Sequence, residues 1–325
     1  MNTELVQQNL SKPDVRHDWT AAEGLSLYNL PFNDLIFKSH SIFKKYFDPN
    51  KITLATLYNI KQAGCSEDCC FCNQSAHHNK KIEKKPFSNV EETVKAAKLA
   101  KEKGATRFCM VAACRGTQDK HMPTLVEMVA EVKKLGLETC LSAGFLQKHH
   151  AQQLKEAGLE YYNHNIETSE DFYPNICTTH KFSDRLDTVN RVAEAGIENC
   201  CGGIIGMGES KEDRVKMLMT LANLPKHPKS IPINRIIKFD ETPAKDMEGD
   251  DDFDLVRTVA IARIMMPKSF VRFSAGRQKT SEAIQALCYF AGVNSIHFGN
   301  DLLTSPNQLP EADKTLFAKL GLEGS

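Results

Sequence analysis

Net charge is missing from this 325-residue sequence, in which 41 Lys and Arg balance 41 Asp and Glu. Without an excess of either sign no global field draws the chain to nucleic acid or to an anionic membrane, and neither is expected as a partner. Also missing is any run approaching the ~18 consecutive apolar residues of a membrane-spanning helix. The opening MNTELVQQNLSKPDVRH holds no apolar stretch of the kind a secretory signal requires, and its acids argue against a transit peptide. The cytosol is the expected compartment. A disulfide framework is a poor reading as well. Eleven cysteines is an odd number, and the chain far exceeds the ~100 residues of small secreted scaffolds. In a reducing compartment some of these thiols are available as metal ligands.

What is present is a regular alternation. Hydrophobic content of 41% and charged content of 25% suit a protein with a sizeable core. Strand-like stretches occupy 52–62, 106–114, 137–144, 160–168, 197–206, 233–239, 269–276 and 294–299, each short and often uncharged at its centre. Parallel strands buried on both faces read this way. Helix-like stretches lie between them, at 88–104, 124–136, a segment closing at Gly158, 183–196, 210–224, 254–266 and 281–292. The first has Ser88 with Glu91 three residues later, a capping-box start, and Gly104 as its stop. Eight strands in this length predict an α/β fold, a single-domain (β/α)8 TIM barrel over residues 51–305, and a doubly wound open sheet is the competing architecture. Residues 1–50 read as an N-terminal helical extension and 306–325 as a C-terminal tail. The acidic stretch DETPAKDMEGDDD (240–252) reads as solvated surface.

The loop after the first strand, GCSEDCCFCNQ (64–74), carries four cysteines. In a barrel the loops after the strands form the active-site face. The spacing Cys65-x3-Cys69-x2-Cys72 leaves Cys70 as a spare thiol. Zinc normally takes four ligands from paired C-x2-C units, so a zinc knuckle is the alternative here. Three thiolates on one loop can instead hold three corners of a cubane iron–sulfur cluster, leaving the fourth iron for a ligand that is not protein.

A second set lies on strands. Cys109, Cys140, Cys200 and Arg272 are each the fourth residue of their predicted strand. Should they point inward, three thiolates and a guanidinium meet within one or two layers of the barrel interior. A buried free cysteine can also be a small hydrophobe, but arginine is almost never buried without a partner. Cys201 alternates to the outer face. Cys114, Cys177 and Cys288 have no matching partners and read as packing or surface.

C-x3-C-x2-C with an aromatic before the last cysteine resembles the radical S-adenosylmethionine enzymes. Over roughly residues 50–305 the chain further resembles the biotin synthases, in TRFCMVAA, GLEYYNHNIETS, AGIENCCGGIIGMGE, LANLP, SIPIN, ARIMMP, VRFSAGR and GVNSIHFG. This resemblance implies sulfur insertion between C6 and C9 of dethiobiotin, with two hydrogen abstractions and two S-adenosylmethionine molecules consumed per biotin. It implies a [4Fe–4S] cluster on Cys65, Cys69 and Cys72, open to S-adenosylmethionine at the fourth iron. It also implies a [2Fe–2S] cluster on Cys109, Cys140, Cys200 and Arg272 as the sulfur donor. Asn163, Asn165 and Glu167 lie two apart and share a face. The resemblance makes them, with Arg185, contacts to S-adenosylmethionine. Glu167 stands where the family usually has aspartate, as acceptor for the ribose diol, and Arg185 meets the methionine carboxylate. Asn165 and Asn234 contact dethiobiotin, and GGIIGMGE (202–209) lies along the adenine. Many family members carry tryptophan at the position of Cys114. A homodimer is the implied assembly, and the basic charge after the cluster loop adds an acidic electron donor such as flavodoxin as an expected partner. The donor would dock on the basic run NKKIEKKP (79–86), which otherwise reads as solvated surface. Two other readings stay open. One is a different radical S-adenosylmethionine enzyme, of the metallocofactor-maturase or amino-acid-mutase type, which needs only the loop cluster. The other is a non-catalytic iron–sulfur carrier or zinc-stabilised binding protein.

Overall fold

A computed structural model describes residues 15–78 and 82–324. The first three residues of the basic run 79–86 therefore lie outside the described residues, as does the start of the N-terminal extension. The strands are β1 (Lys51–Lys61), β2 (Arg107–Ala112), β3 (Glu138–Ser142), β4 (Tyr161–Asn163), β5 (Glu198–Cys200), β6 (Gly203–Ile205), β7 (Ser230–Arg235), β8 (Phe270–Phe273) and β9 (Val293–His297). All pair in parallel. They run in the order β1-β2-β3-β4-β5-β7-β8-β9, with β6 on β7 and β9 returning to β1. Because β5 and β6 are halves of one stave, this is the expected closed barrel of eight, and the open-sheet alternative falls.

The split stave has a chemical cause. Cys200 pairs with Ser230 and Gly203 with Ile233, while Pro232, between those partners, has no N–H to give to the ladder. A side chain on Gly202 would lie 1.9 Å from the Pro232 carbonyl oxygen, so only glycine fits there. The Gly202 carbonyl turns to the other side and accepts from the backbone N–H groups of Ile166 (3.0 Å) and Glu167 (3.3 Å). Those two bonds, with that of the His164 N–H to the Cys200 carbonyl (3.1 Å), tie 164–167 to the split stave although β4 stops at Asn163. Pro232 also hides the start of β7, which begins at Ser230 and not at 233. Residues 236–239 have already left the sheet, and Ile236, Ile237 and Phe239 line the interior cavity.

Helices between the staves cover the outside. On α3 (Val90–Glu102) the capping box forms one residue later than expected, with Asn89 accepting from the Glu92 N–H at 2.8 Å. The next are α4 (Met122–Lys134), α5 (Lys148–Glu156), α6 (Phe182–Glu194), α7 (Lys211–Ala222), α8 (Asp252–Met265) and α9 (Glu282–Ala291). Before the barrel, α1 (Ala21–Tyr28) and α2 (Phe32–Tyr46) pack on its flank. The buried Ser39 hydroxyl of α2 donates to the carbonyls of Ala260 and Ala291. Within 306–325 the chain forms α10 (Pro310–Leu320), and Glu323 and Gly324 pair with Lys51 and Ile52 of β1. Asp313 of α10 is fully buried against Arg277, with 2.9 Å from Nη2 to Oδ2.

The acidic stretch 240–252 is not plain solvated surface. Asp250, its side chain 2% exposed, receives Arg235 Nε at 2.9 Å, and Arg235 Nη1 also reaches Asp252 at 2.6 Å. Among the described residues no helix is long and apolar enough to cross a membrane.

Candidate active site

Apolar packing between strands and helices fills two large clusters, whereas a small separate one, of Ala55, Cys109, Cys140 and Tyr161, lies inside the barrel. Strand alternation sorts the cysteines. Cys109 stands opposite Cys140, Cys140 opposite Tyr161, and Asn163 opposite Cys200, so all three thiols share the inward parity. Cys201 faces outward into the helix layer, as expected. Arg272, opposite Pro232 on β8, has the same inward parity and is fully buried. Its Nη1 lies 3.9 Å from Cys200 Sγ and its Nε donates to Ser295 Oγ at 3.0 Å, while Nη2 has no partner.

The thiols are electrostatically unequal. A hydrogen bond from Cys140 draws the Cys200 thiol down to about 5, with Arg272 and Arg107 adding positive charge. Cys109 is likewise lowered, first by its hydrogen bond with Cys140, and Cys140 is pushed well up by giving to both neighbours. Buried cations beside buried thiols are what a set of thiolate ligands needs.

Arg107 joins the inner set. It lies two residues before Cys109 on the same strand face. Its guanidinium stacks 3.6 Å from the Tyr161 ring and binds Glu138 (2.8 Å), leaving Nη1 buried without a partner. His297 is a second addition. Its Nδ1 pairs with Ser274 Oγ at 2.6 Å, and its Nε2 lies 3.4 Å from Arg272 Nη1.

Above this group sits the cysteine loop, at the mouth formed by the C-terminal ends of the strands. Its carboxylates anchor it to the loop after β4. Asp68 accepts from the N–H groups of Thr178 (2.9 Å) and Thr179 (3.2 Å). Glu67 binds Arg115 at 2.5 Å, accepts from Thr179 Oγ1 at 2.6 Å and closely contacts His180. Cys65, Cys69 and Cys72 all line the mouth cavity, and burial raises the thiols of Cys65 and, to about 11, Cys72. Cys69 is raised first by its hydrogen bond to Cys177, then by burial. Cys70 is buried but lines neither cavity, and its N–H donates to the Ile176 carbonyl.

Cys177 corrects the packing assignment. Its Sγ lies 3.9 Å from Cys69 Sγ and 3.2 Å from His180 Nδ1. The spacing Cys177-x2-His180 was the available signal. Cys288 does pack as a buried hydrophobe, and Cys114 lines the mouth.

A mouth cavity of about 240 Å³ and an inner cavity of about 270 Å³ share Cys72, Asn163, Asn165 and Glu167 in their walls. Asn163 Nδ2 donates to the Cys200 carbonyl (3.0 Å) and faces Cys200 Sγ (3.5 Å). Asn165 Oδ1 accepts from Gly202 N–H at 3.2 Å. Glu167 takes a left-handed backbone, φ 70°. Its Oε1 lies 3.3 Å from Arg185 Nη1 while Oε2 is buried without a partner. Burial raises this carboxyl, and Arg185 opposes the rise. Arg185 also donates to Tyr173 OH (2.5 Å) and the Asn165 carbonyl (2.9 Å), with Nη2 3.9 Å from Cys69 Sγ. Asn234 lines the inner cavity, braced between the Gly203 carbonyl (3.1 Å) and the Ala275 N–H (3.2 Å). Every predicted site residue thus borders one continuous opening. The stretch 202–209 contributes Ile204 to the inner wall. Glu209, farther along, caps the backbone N–H groups of Gly206 (2.9 Å) and Met207 (2.7 Å) and pairs with Arg214.

Residues 59–221 match the Radical SAM superfamily, and residues 232–323 match the Biotin and Thiamin Synthesis associated domain. Biotin synthase of Marinobacter nauticus is 52% identical over 307 residues, covering 94% of this chain and 87% of that protein. Biotin synthase of Methylococcus capsulatus is 50% identical over 316 residues, covering 97% of each. Among solved structures, the FeFe-hydrogenase maturase HydG from Carboxydothermus hydrogenoformans superposes with a TM-score of 0.83 at 18% identity, over 99% of this chain and 79% of that one. Methylornithine synthase (PylB) does so with 0.78 at 17% identity, over 94% of each. These two share the fold. The superfamily match brings S-adenosylmethionine and an iron–sulfur cluster as cofactors, and the relatives bring a small molecule as substrate. With half its residues identical along nearly its whole length and both sequence domains in place, the chain belongs to the biotin synthase family of radical S-adenosylmethionine enzymes.

Proposed function

We propose that this enzyme inserts sulfur between C6 and C9 of dethiobiotin, using two clusters stacked along the barrel opening. Cys65, Cys69 and Cys72 hold a [4Fe–4S] cluster with S-adenosylmethionine at the mouth. Cys109, Cys140, Cys200 and Arg272 hold a [2Fe–2S] cluster below it. The observation that carries this reading is the pairing of two three-thiol groups at different depths of one opening, joined by the wall of Cys72, Asn163, Asn165 and Glu167. The donor chemistry fits. The lower set is thiol-rich, buried, and flanked by Arg272 Nη2 and Arg107 Nη1, both without partners, which suits an anionic iron–sulfide group.

Bound there, the upper cluster with S-adenosylmethionine would supply radical hydrogen abstraction from unactivated carbon, and the lower cluster would supply the sulfur. The chain's own work is positioning. Arg185 offers a fixed guanidinium for a carboxylate, and Glu167 offers the unpartnered Oε2 to a hydroxyl pair. Asn165, just past the end of β4, and Asn234 on β7 present amides to the substrate ring from either side of the split stave. The mouth walls surround the reacting carbon and limit the side chains within reach of a radical.

Residues 51–305 are the catalytic barrel in this reading, and 1–50 and 306–325 are its flanks. Dimer formation, a cytosolic location and reduction by an acidic donor such as flavodoxin at the basic run belong to the same proposal. Anaerobic reconstitution with dethiobiotin and S-adenosylmethionine tests it. Biotin with two cluster types by iron and sulfide analysis supports it, whereas one cluster type and no biotin would transfer the chain to another radical chemistry. Zinc alone would make it a binding protein.

A further inference from the structure

Outside the two cluster sets, one group of donors has metal-ligand geometry. Cys69, Cys177 and His180, all buried, place one ligand atom each within 4.8 Å of the others. Two zinc–sulfur bonds of ~2.3 Å at the tetrahedral angle set their sulfurs about 3.8 Å apart, and a sulfur and an imidazole nitrogen about 3.5 Å apart. The corresponding distances are 3.9 Å for Cys69 Sγ to Cys177 Sγ and 3.2 Å for Cys177 Sγ to His180 Nδ1.

A supporting shell surrounds them. Tyr173 OH fixes His180 Nε2 at 2.7 Å, which leaves Nδ1 turned toward Cys177. Glu67, in close contact with that same Nδ1, is a carboxylate donor in reach of a fourth position. Asp68 Oδ1 lies 3.1 Å from Cys177 Sγ. Cys69, His180 and Glu67 also line the mouth cavity, so an ion has a way in. Hydrogen-bonded imidazole and paired carboxylates are the surroundings that tighten such sites.

We propose that Cys69, Cys177 and His180 bind a single soft divalent cation, zinc or ferrous iron, when the chain carries no cluster. The two thiol protons leave to solvent and no electron is transferred. Because Cys69 cannot serve both, this site and the mouth cluster exclude one another. Zinc held here keeps the loop from accepting a [4Fe–4S] cluster.

The test uses cobalt(II) as probe on the full-length, cluster-free chain carrying Cys65→Ser and Cys72→Ser. Those changes remove the mouth cluster and leave the triad. Tetrahedral d–d bands with thiolate charge transfer are expected. Adding Cys177→Ala or, separately, His180→Gln should weaken that cobalt by on the order of 10-fold or more. The inner thiols are common to all these proteins and cancel in the comparison. Cobalt spectra and affinity unchanged in both variants would overturn the proposal. In the otherwise native chain, zinc should slow [4Fe–4S] reconstitution, and Cys177→Ala should remove that sensitivity. Equal inhibition in both would refute the mutual exclusion. Neither readout requires biotin to be formed, so failure here and failure of the sulfur-insertion reading remain distinguishable.

Discussion

Cys109 and Cys140 stand opposite one another in register on β2 and β3, both buried in the small cluster inside the barrel. Cys200 joins them from β5, reached through the Cys140–Tyr161 and Asn163–Cys200 pairings. A rigid ladder sets the spacing of these thiols, whereas Cys65, Cys69 and Cys72 sit on a loop pinned by Glu67 and Asp68. The two sets therefore answer differently to mutation.

Cys140→Ala should leave S-adenosylmethionine cleavage partly intact and abolish biotin formation. Cys65→Ala should abolish both. Quantifying 5′-deoxyadenosine and biotin from the same anaerobic reaction separates the two. Normal biotin yield from Cys140→Ala would remove the inner cluster from the mechanism.

Gly203→Ala should disturb the cofactor wall while leaving every proposed cluster ligand and contact residue in the sequence. A Cβ there would lie 2.4 Å from the Glu167 carbonyl oxygen and 2.3 Å from Met217 Sδ. The methionine can swing aside, but the backbone of Glu167 cannot, since the Gly202 carbonyl and the Ile204 N–H hold it. Glu167 must move. S-adenosylmethionine affinity should fall on the order of 10-fold, the loss of one hydrogen bond to a charged group, with cluster content unchanged by iron analysis.

The eight staves were legible because each is a short run between helices of clear period. The depth of the inner thiols was legible because strand alternation fixes which side a residue faces. The split of the fifth stave was not, because it depends on Pro232 of a different strand meeting Gly202. The triad of Cys69, Cys177 and His180 was hidden for a similar reason. Two of its members lie more than a hundred residues from the third, and only the clamp of Asp68 on Thr178 and Thr179 brings the loops together. Asp250 looked solvated in an acidic stretch, and its burial follows from Arg235 at the end of β7.

Two buried histidines should make the fold acid-sensitive. Burial holds His164 and His297 well below the usual imidazole range, with nearby arginines adding to the effect. Both are bases with folded values depressed, so the unfolded chain takes up protons first as pH falls below about 6.5. Stability is thus full above that value and declines beneath it, by about 1.4 kcal/mol per histidine between pH 7.5 and 5.5. Urea unfolding at these two pH values measures the loss, and His164→Asn should abolish its share. A urea midpoint at pH 5.5 equal to or higher than that at 7.5 would contradict the sign.

Glu167 offers the sharpest probe of the cofactor wall, because its backbone and its carboxylate pull in opposite directions. Its φ of 70° is a conformation in which aspartate and asparagine are enriched relative to longer side chains. Glu167→Asp should therefore relieve backbone strain and leave thermal stability equal or slightly higher. The shorter side chain also withdraws the carboxylate from Arg185, now 3.3 Å away. Glu167→Gln keeps the length and removes the charge, leaving Arg185 buried beside a neutral amide. If charge at this position is what holds the cofactor's hydroxyls and orients Arg185, equilibrium binding of S-adenosylmethionine should weaken by roughly 10- to 100-fold in Glu167→Gln. Glu167→Asp should stay within about a factor of 10 of the native chain, half of that range. Equal affinity in all three proteins would place the ribose contact elsewhere on the wall.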